Sequence, residues 1–267
     1  MFQILLIFES IILSTFLYLY LHKKTRISYK YLYLDNIWVI VPTIAIALFL
    51  TSLNICFLNP IILFLIPLII LCFAFSYTML RFWRNPKRNI IAKINEIVSP
   101  ADGNVIYIKE IKAGDTPISI KNGLEAKLSE IAETNLLNQD GWLIGINMTP
   151  FDVHKNCAPA SGIVVLNKHI KGEFLSLKHP KALIRNERNT LVIKTNQGEF
   201  FGIIQTASRL VKRIDSYVQE NEMIKQGDWF GMIRFGSQVD VIIPKGYKIN
   251  IEIGQQLYAK STIIASK

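Results

Sequence analysis

Ser237 follows Gly236 in the stretch G-D-W-F-G-M-I-R-F-G-S-Q-V-D-V-I-I-P, residues 227–244. Glycine has no Cβ to shield its carbonyl, so the hydroxyl of the next residue can approach that carbonyl closely. A serine so placed is a candidate nucleophile, provided a base elsewhere in the fold reaches it. The same pair between two apolar strands also reads as an ordinary turn. The candidate base is His154, in M-T-P-F-D-V-H-K-N-C-A-P-A-S-G, residues 148–162. Histidine is the usual general base near neutral pH, although a single loop histidine is also a common structural residue. Asp102, in P-A-D-G, is a carboxylate at a glycine turn and a candidate partner for that base. His169 and His179 stand among Lys168, Lys171, Lys178 and Lys181, in what reads as a solvated or headgroup-facing loop.

These residues need elements to carry them. From Ile94 onward short apolar runs alternate with Gly, Pro, Asp and Asn. Strands are expected at 104–108, 142–147, 162–166, 190–195, 199–205, 229–235, 239–243 and 247–253. Many short strands with regular turn signals predict a mainly β fold, a β-sandwich or flattened barrel with few short helices. One helix is expected within 125–137 and a shorter one within 180–188. Pro100-Ala101-Asp102-Gly103-Asn104-Val105-Ile106 echoes Pro159-Ala160-Ser161-Gly162-Ile163-Val164-Val165. Both segments read as a tight glycine turn entering a β-branched strand.

The first third of the chain is different. Apolar runs cover 2–21, 37–53 and 61–80, and a run of about 20 apolar residues is the length of a membrane-spanning helix. The first run has no basic start and no small-residue cleavage site, so it reads as a retained span rather than a signal peptide. Two to three transmembrane helices over 1–80 would therefore anchor a β-rich domain over 81–267. Lys23, Lys24, Arg26 and Lys30 lie between the first two runs, and Arg81, Arg84, Lys87 and Arg88 follow the third. Basic flanks belong on the cytoplasmic side. That orientation puts the domain at the cytoplasmic face of the cell (inner) membrane. The net charge of +10 then fits anionic lipid rather than nucleic acid, for which no motif is present. Arg84 and Arg88 are candidates to hold a headgroup phosphate. Cys56 and Cys72 fall in or beside the apolar runs and Cys157 alone in the domain, so neither a disulfide framework nor a zinc pattern is expected.

Five landmarks occur in order across residues 80–245: Phe82-Trp83-Arg84-Asn85-Pro86-Lys87-Arg88, Val98-Ser99-Pro100-Ala101-Asp102-Gly103, Asp152-Val153-His154 with Pro159 and Gly162, Asn186-Glu187-Arg188-Asn189, and Arg234-Phe235-Gly236-Ser237 with Asp240. Together they resemble the phosphatidylserine decarboxylase family, in its short, archaeal-like and bacterial branch. The resemblance implies a self-processing, pyruvoyl-dependent carboxy-lyase that converts phosphatidylserine to phosphatidylethanolamine at the membrane surface. Ser237 Oγ would attack the Gly236 carbonyl to give an ester. Elimination and hydrolysis would then leave chains 1–236 and 237–267, a heterodimer with a pyruvoyl group at position 237. That group is the electron sink for loss of carbon dioxide, so no separate cofactor and no metal is implied. Asp102 and His154 would serve Ser237 as acid and base.

Two departures stand out. Cys157 occupies the place of the second histidine of the longer enzymes, the one usually given the self-cleavage role. Either His154 performs both tasks or the base comes from elsewhere. The processing tripeptide is Phe-Gly-Ser rather than the Leu-Gly-Ser of the longer forms. The alternative reading is a non-catalytic, membrane-tethered β-domain of lipoyl-like type, acting in binding or transport. A serine hydrolase fits less well, because Phe235 and Val239 stand where a G-x-S-x-G elbow has glycines.

Overall fold

A computed structural model of the chain describes residues 2–25, 29–53, 58–90, 92–93, 95–114, 118–121, 124–179, 181–208, 213–234 and 237–267. The chain divides into two compact units, Met1–Arg84 and Asn85–Lys267.

The first unit is helical. Helices Phe2–Thr25, Tyr29–Ser52 and Leu58–Trp83 contain apolar stretches Phe2–Lys23, Leu32–Ser52 and Ile61–Trp83, each long enough to cross a membrane. The second helix starts eight residues before the expected run at 37, and two polar residues of its second turn, Asp35 and Asn36, are paired. Asp35 is fully buried and paired with Arg81 of the third helix. Asn36 accepts a hydrogen bond from the Ser14 hydroxyl and donates to Thr15 Oγ1 at 3.1 Å. Pairing of this kind is what makes a carboxylate tolerable in an apolar bundle. Arg26 and the connection at 54–57, which includes Cys56, lie outside the described residues.

The second unit is mainly β, as the turn spacing predicts. Its largest sheet is curled and has eight strands. In spatial order they are Met223–Ile224, Gly162–Ile170, Arg188–Lys194, Phe200–Ala207, Ser237–Pro244, Gly141–Met148, Gly103–Ile111 and Gln256–Leu257, all antiparallel to their neighbours. A three-stranded sheet joins Ile214–Ser216, Trp229–Ile233 and Lys155–Cys157. Another joins Glu96–Val98, Ile263–Ser266 and Lys248–Ile249.

The strand Ser237–Pro244 is buried on both faces, and apart from Ser237, Gln238 and Asp240 its residues are apolar. Val239, Val241 and Ile243 belong to the larger core with Ile144, Ile146, Met148 and Ile203. Ile242 lies in a second core on the opposite face, with Tyr107, Leu143, Ile204 and the short helix Leu128–Ala132. That helix is much shorter than the 125–137 expectation. The segment Leu124–Ala126 is taken by a hairpin, and Glu133 ends the helix in the left-handed region at φ 49°. Only Lys248–Ile249 of the strand expected at 247–253 is laddered, and a turn at Gly254 follows. The short helix of the 180–188 region is Ala182–Arg185, and Pro180 lies outside the described residues.

The two echoed turns are neighbours. Cys157 N–H donates to the Pro100 carbonyl at 2.9 Å, and Val98 N–H to the Pro159 carbonyl at 3.3 Å. Gly103 opens its strand at φ +146°, where an added Cβ would lie 2.4 Å from the Asn147 carbonyl oxygen. Gly145 has a different reason to lack a side chain. Its Cβ would lie 2.4 Å from the Tyr107 ring, which crosses above it. Gly145→Ala is therefore expected to destabilise the domain by about 1–3 kcal/mol, as overpacking does. A thermal midpoint equal to that of the unaltered protein would show that the ring has room to move.

Candidate active site

Asp102 is fully buried, and its carboxylate is held from three directions. Arg88 pairs with both oxygens, with Nη2 at 2.7 Å from Oδ2. Ala259 N–H donates to Oδ1 at 2.8 Å, and Val153 N–H to Oδ2 at 3.3 Å. Arg88 Nη1 also donates to the Ala259 carbonyl at 3.0 Å. Arg88, read from sequence as a possible headgroup ligand, is thus the counter-ion of Asp102. Asp102 in turn fixes the backbone one residue before His154.

His154 is fully buried as well. Its Nδ1 lies 2.9 Å from the Asp152 carbonyl oxygen. A carbonyl only accepts, so Nδ1 carries the proton and the neutral ring has its lone pair on Nε2. The Asp152 side chain accepts from Thr149 N–H and Oγ1 at 2.7 and 2.8 Å and from Gln256 Nε2 at 3.0 Å. Burial pushes the Asp152 carboxyl above the usual range, with the Thr149 and Gln256 donors opposing and Asp102 adding to the rise.

The topology ties the His154 loop to the chain at Ile233 and at the strand start, Ser237. Met148 stands opposite Ser237 in the sheet. Ile233 N–H donates to the His154 carbonyl at 3.1 Å. Ser237 is the first residue of its strand, between Met148 and Ala207. Gly236 and Phe235, the other half of the expected cleavage site, lie outside the described residues. Just before them, Arg234 Nε donates to Asp215 Oδ2 at 2.8 Å and Arg213 Nε to Asp215 Oδ1 at 2.7 Å. Burial acts to raise the Asp215 carboxyl, and the two guanidinium groups outweigh it, so it titrates below the ordinary range.

Cys157 is fully buried, and its thiol donates to the Ser99 carbonyl at 3.3 Å. Burial pushes that thiol up to about 12. A group that stays protonated at neutral pH is no substitute for an imidazole base. His169 pairs with Glu187 at 3.3 Å, and His179 Nδ1 accepts the Lys181 N–H at 3.2 Å within its own turn. Neither is brought to the Asp102–His154 cluster by these contacts. Asn186 accepts the Leu175 N–H at 2.8 Å and donates to the Ala207 carbonyl at 2.9 Å, bracing the residue opposite Ser237. Arg188 is buried among the carbonyls of Ile131, Ile184 and Asn186.

Ala259, Gln256 and Tyr107 are not evident from sequence. Ala259 and Gln256 hold Asp102 and Asp152 from far along the chain, and nothing local marks them. Tyr107 donates its hydroxyl to Asp240, and Gln238 Nε2 donates to the same carboxylate at 2.8 and 3.1 Å. A signal for this last cluster does exist: Gln238 and Asp240 interrupt an otherwise apolar strand. Among the described residues, no group of three or more His, Cys, Asp or Glu is placed to hold a metal ion.

A family model described as phosphatidylserine decarboxylase matches residues 75–265. The phosphatidylserine decarboxylase proenzyme of Cytophaga hutchinsonii is 34% identical over 227 residues, 82% of this chain and 94% of that one. The putative archaetidylserine decarboxylase proenzyme of Methanocaldococcus jannaschii is 39% identical over 186 residues, 70% of this chain and 88% of that one. The phosphatidylserine decarboxylase proenzyme of Burkholderia ambifaria is 33% identical over 187 residues, 70% and 78% of the two chains. The class is that of a lyase, a decarboxylase with a β-rich domain. The chain belongs to the phosphatidylserine decarboxylase family.

Two outcomes follow for the cluster. Replacing Arg88 by Met strands a buried carboxylate, so thermal or denaturant unfolding of Arg88→Met should show a loss of about 3–5 kcal/mol. An unchanged unfolding curve would mean that Asp102 does not depend on Arg88. Cys157 should resist a neutral alkylating reagent at pH 8 in the native protein and react once unfolded, as peptide mapping would show. Rapid native labelling at Cys157 would contradict a buried thiol.

Proposed function

We propose that the chain decarboxylates phosphatidylserine to phosphatidylethanolamine at a membrane surface, after cutting itself between Gly236 and Ser237. The observation that carries this reading is the convergence of the family match with one structural fact. The loop bearing His154 is tied to the chain at Ile233 and, through Met148, at the strand start, Ser237.

The residues present fit a pyruvoyl group made from Ser237. Its strand is laddered on both edges, to Gly141–Met148 and to Phe200–Ala207, so a cut at its beginning leaves the small chain 237–267 seated in the sheet. When formed, the group supplies the electron sink for loss of carbon dioxide. The chain's own residues do the rest. His154, with its proton on Nδ1, offers Nε2 as the base toward Ser237 and later as a proton carrier. Asp102 acts on it through the backbone, by holding Val153 N–H while Arg88 balances its charge. The Asp152 carbonyl holds the ring orientation directly. With Cys157 held as a thiol, His154 is assigned both tasks.

The three apolar helices would keep the domain beside a substrate that does not readily leave the bilayer, a gain through proximity. Arg84 remains the candidate for a headgroup phosphate. The cytoplasmic orientation stands on the basic flanks of the apolar runs.

Intact mass spectrometry of the purified protein tests the reading, beside Ser237→Ala. Two chains are expected from the unaltered protein, the smaller beginning with pyruvoyl at 237, and one chain from the variant. Incubation with phosphatidylserine should yield the ethanolamine lipid from the former alone. A single uncut chain in an active, inserted preparation would remove self-processing from the reading.

A further inference from the structure

Self-cleavage creates a mechanical problem that the sheet must solve. Before the cut, Ser237 is continuous with the preceding chain. Afterwards it is the first residue of a strand lying in a slot between two others, and strand ends open more easily than strand middles. Backbone ladders alone do not fix such a strand, because the same ladder re-forms after sliding by two residues with every side chain on its original face. Any slide would carry position 237 away from Met148, Ala207 and the His154 loop.

We propose that Tyr107, Gln238 and Asp240 are a registry pin that holds the cut strand at one position, and so act as positioning residues for residue 237. This rests on the self-cleavage reading above. Gln238 and Asp240 are the second and fourth residues of the small chain, whereas Tyr107 belongs to the large one. All three are buried, with Gln238 fully so and Asp240 1% exposed. The Tyr107 hydroxyl donates to Asp240 Oδ1, and Gln238 Nε2 reaches both carboxylate oxygens and the Tyr107 hydroxyl at 2.9 Å.

The geometry is built for this contact. Tyr107 and Asp240 both stand opposite Gly145, on either side of the strand between them. The absence of a side chain at Gly145 lets the ring pass over that strand to reach the carboxylate. A slide by two residues in one direction would bring Ile242 to the position of Asp240 and carry the buried carboxylate away from its donors. A buried charge without donors is among the most costly arrangements in a protein, and setting register is the best-attested use of buried polar groups.

The pin is also one-sided. Gln238 Oε1 and the Thr206 Oγ1 on the opposing residue are both buried without a hydrogen-bond partner. The Gln238 amide is therefore held through Asp240 and Tyr107, not from the Phe200–Ala207 strand. Removing the Tyr107 hydroxyl weakens the whole cluster.

The test uses the full-length protein in detergent or nanodiscs and reads hydrogen exchange of peptides from 237–244. Tyr107→Phe is made in the self-processing chain and in the uncut Ser237→Ala chain, with Gln238→Leu as a second variant should the first fold poorly. In the processed form the amides of 238–240 should exchange about tenfold faster than in processed unaltered protein, as for a segment that opens locally. In the uncut form the same substitution should change them less than about twofold, because chain continuity still limits opening. Equal acceleration in both forms, or none in the processed one, overturns the pin and leaves self-processing intact. An unaltered protein that never cuts, seen by intact mass, removes the reading on which the pin rests.

Discussion

The strand Ser237–Pro244 is bonded along both edges, to Gly141–Met148 and to Phe200–Ala207. Much of the domain can be read as a consequence of that placement. Both faces of this strand are buried, and two cores have formed, one against each face. Residues beyond the strand return to grip the site from behind. Ala259 N–H holds Asp102, Gln256 holds Asp152, and the C-terminal strand Ile263–Ser266 pairs with Glu96–Val98. A cut at the start of Ser237–Pro244 would separate the chain covalently without separating the site.

Charge in this site is handled by enclosure. Asp102 is surrounded by one guanidinium and two backbone donors, which satisfy a carboxylate that could not otherwise be buried. That arrangement leaves its effect on His154 indirect. The imidazole Nδ1 is oriented by the Asp152 carbonyl oxygen at 2.9 Å. A neutral ring with its lone pair on Nε2 suits removal of a proton from a hydroxyl.

Cys157 has a packing role. Cys157 lies where the two glycine turns meet, with its N–H on the Pro100 carbonyl and its thiol on the Ser99 carbonyl. The position is fully enclosed, which suits a small apolar side chain with a weak donor and raises the thiol far from neutrality. Its neighbour Asn156 accepts from Gln205 at 2.8 Å, so polar groups in this strand are used to join the smaller sheet to the larger one.

The sequence by itself determined the apolar runs of the first unit, the mainly β character of the second, and the residue types of the site. Each is recorded locally, in run length, alternation and short motifs. Its boundaries failed where distant partners intervene. The second apolar helix extends through Asp35, which is paired with Arg81, far along the chain. The 125–137 helix is cut short by a hairpin before it and a left-handed residue after it. Tertiary structure alone decided that Arg88 belongs to Asp102, that a carbonyl orients His154, and that Tyr107 crosses Gly145 to reach Asp240. Those contacts span separations from two residues, for the Asp152 carbonyl and His154, to 133, for Tyr107 and Asp240, and composition carries no record of which buried donor a buried acceptor will meet.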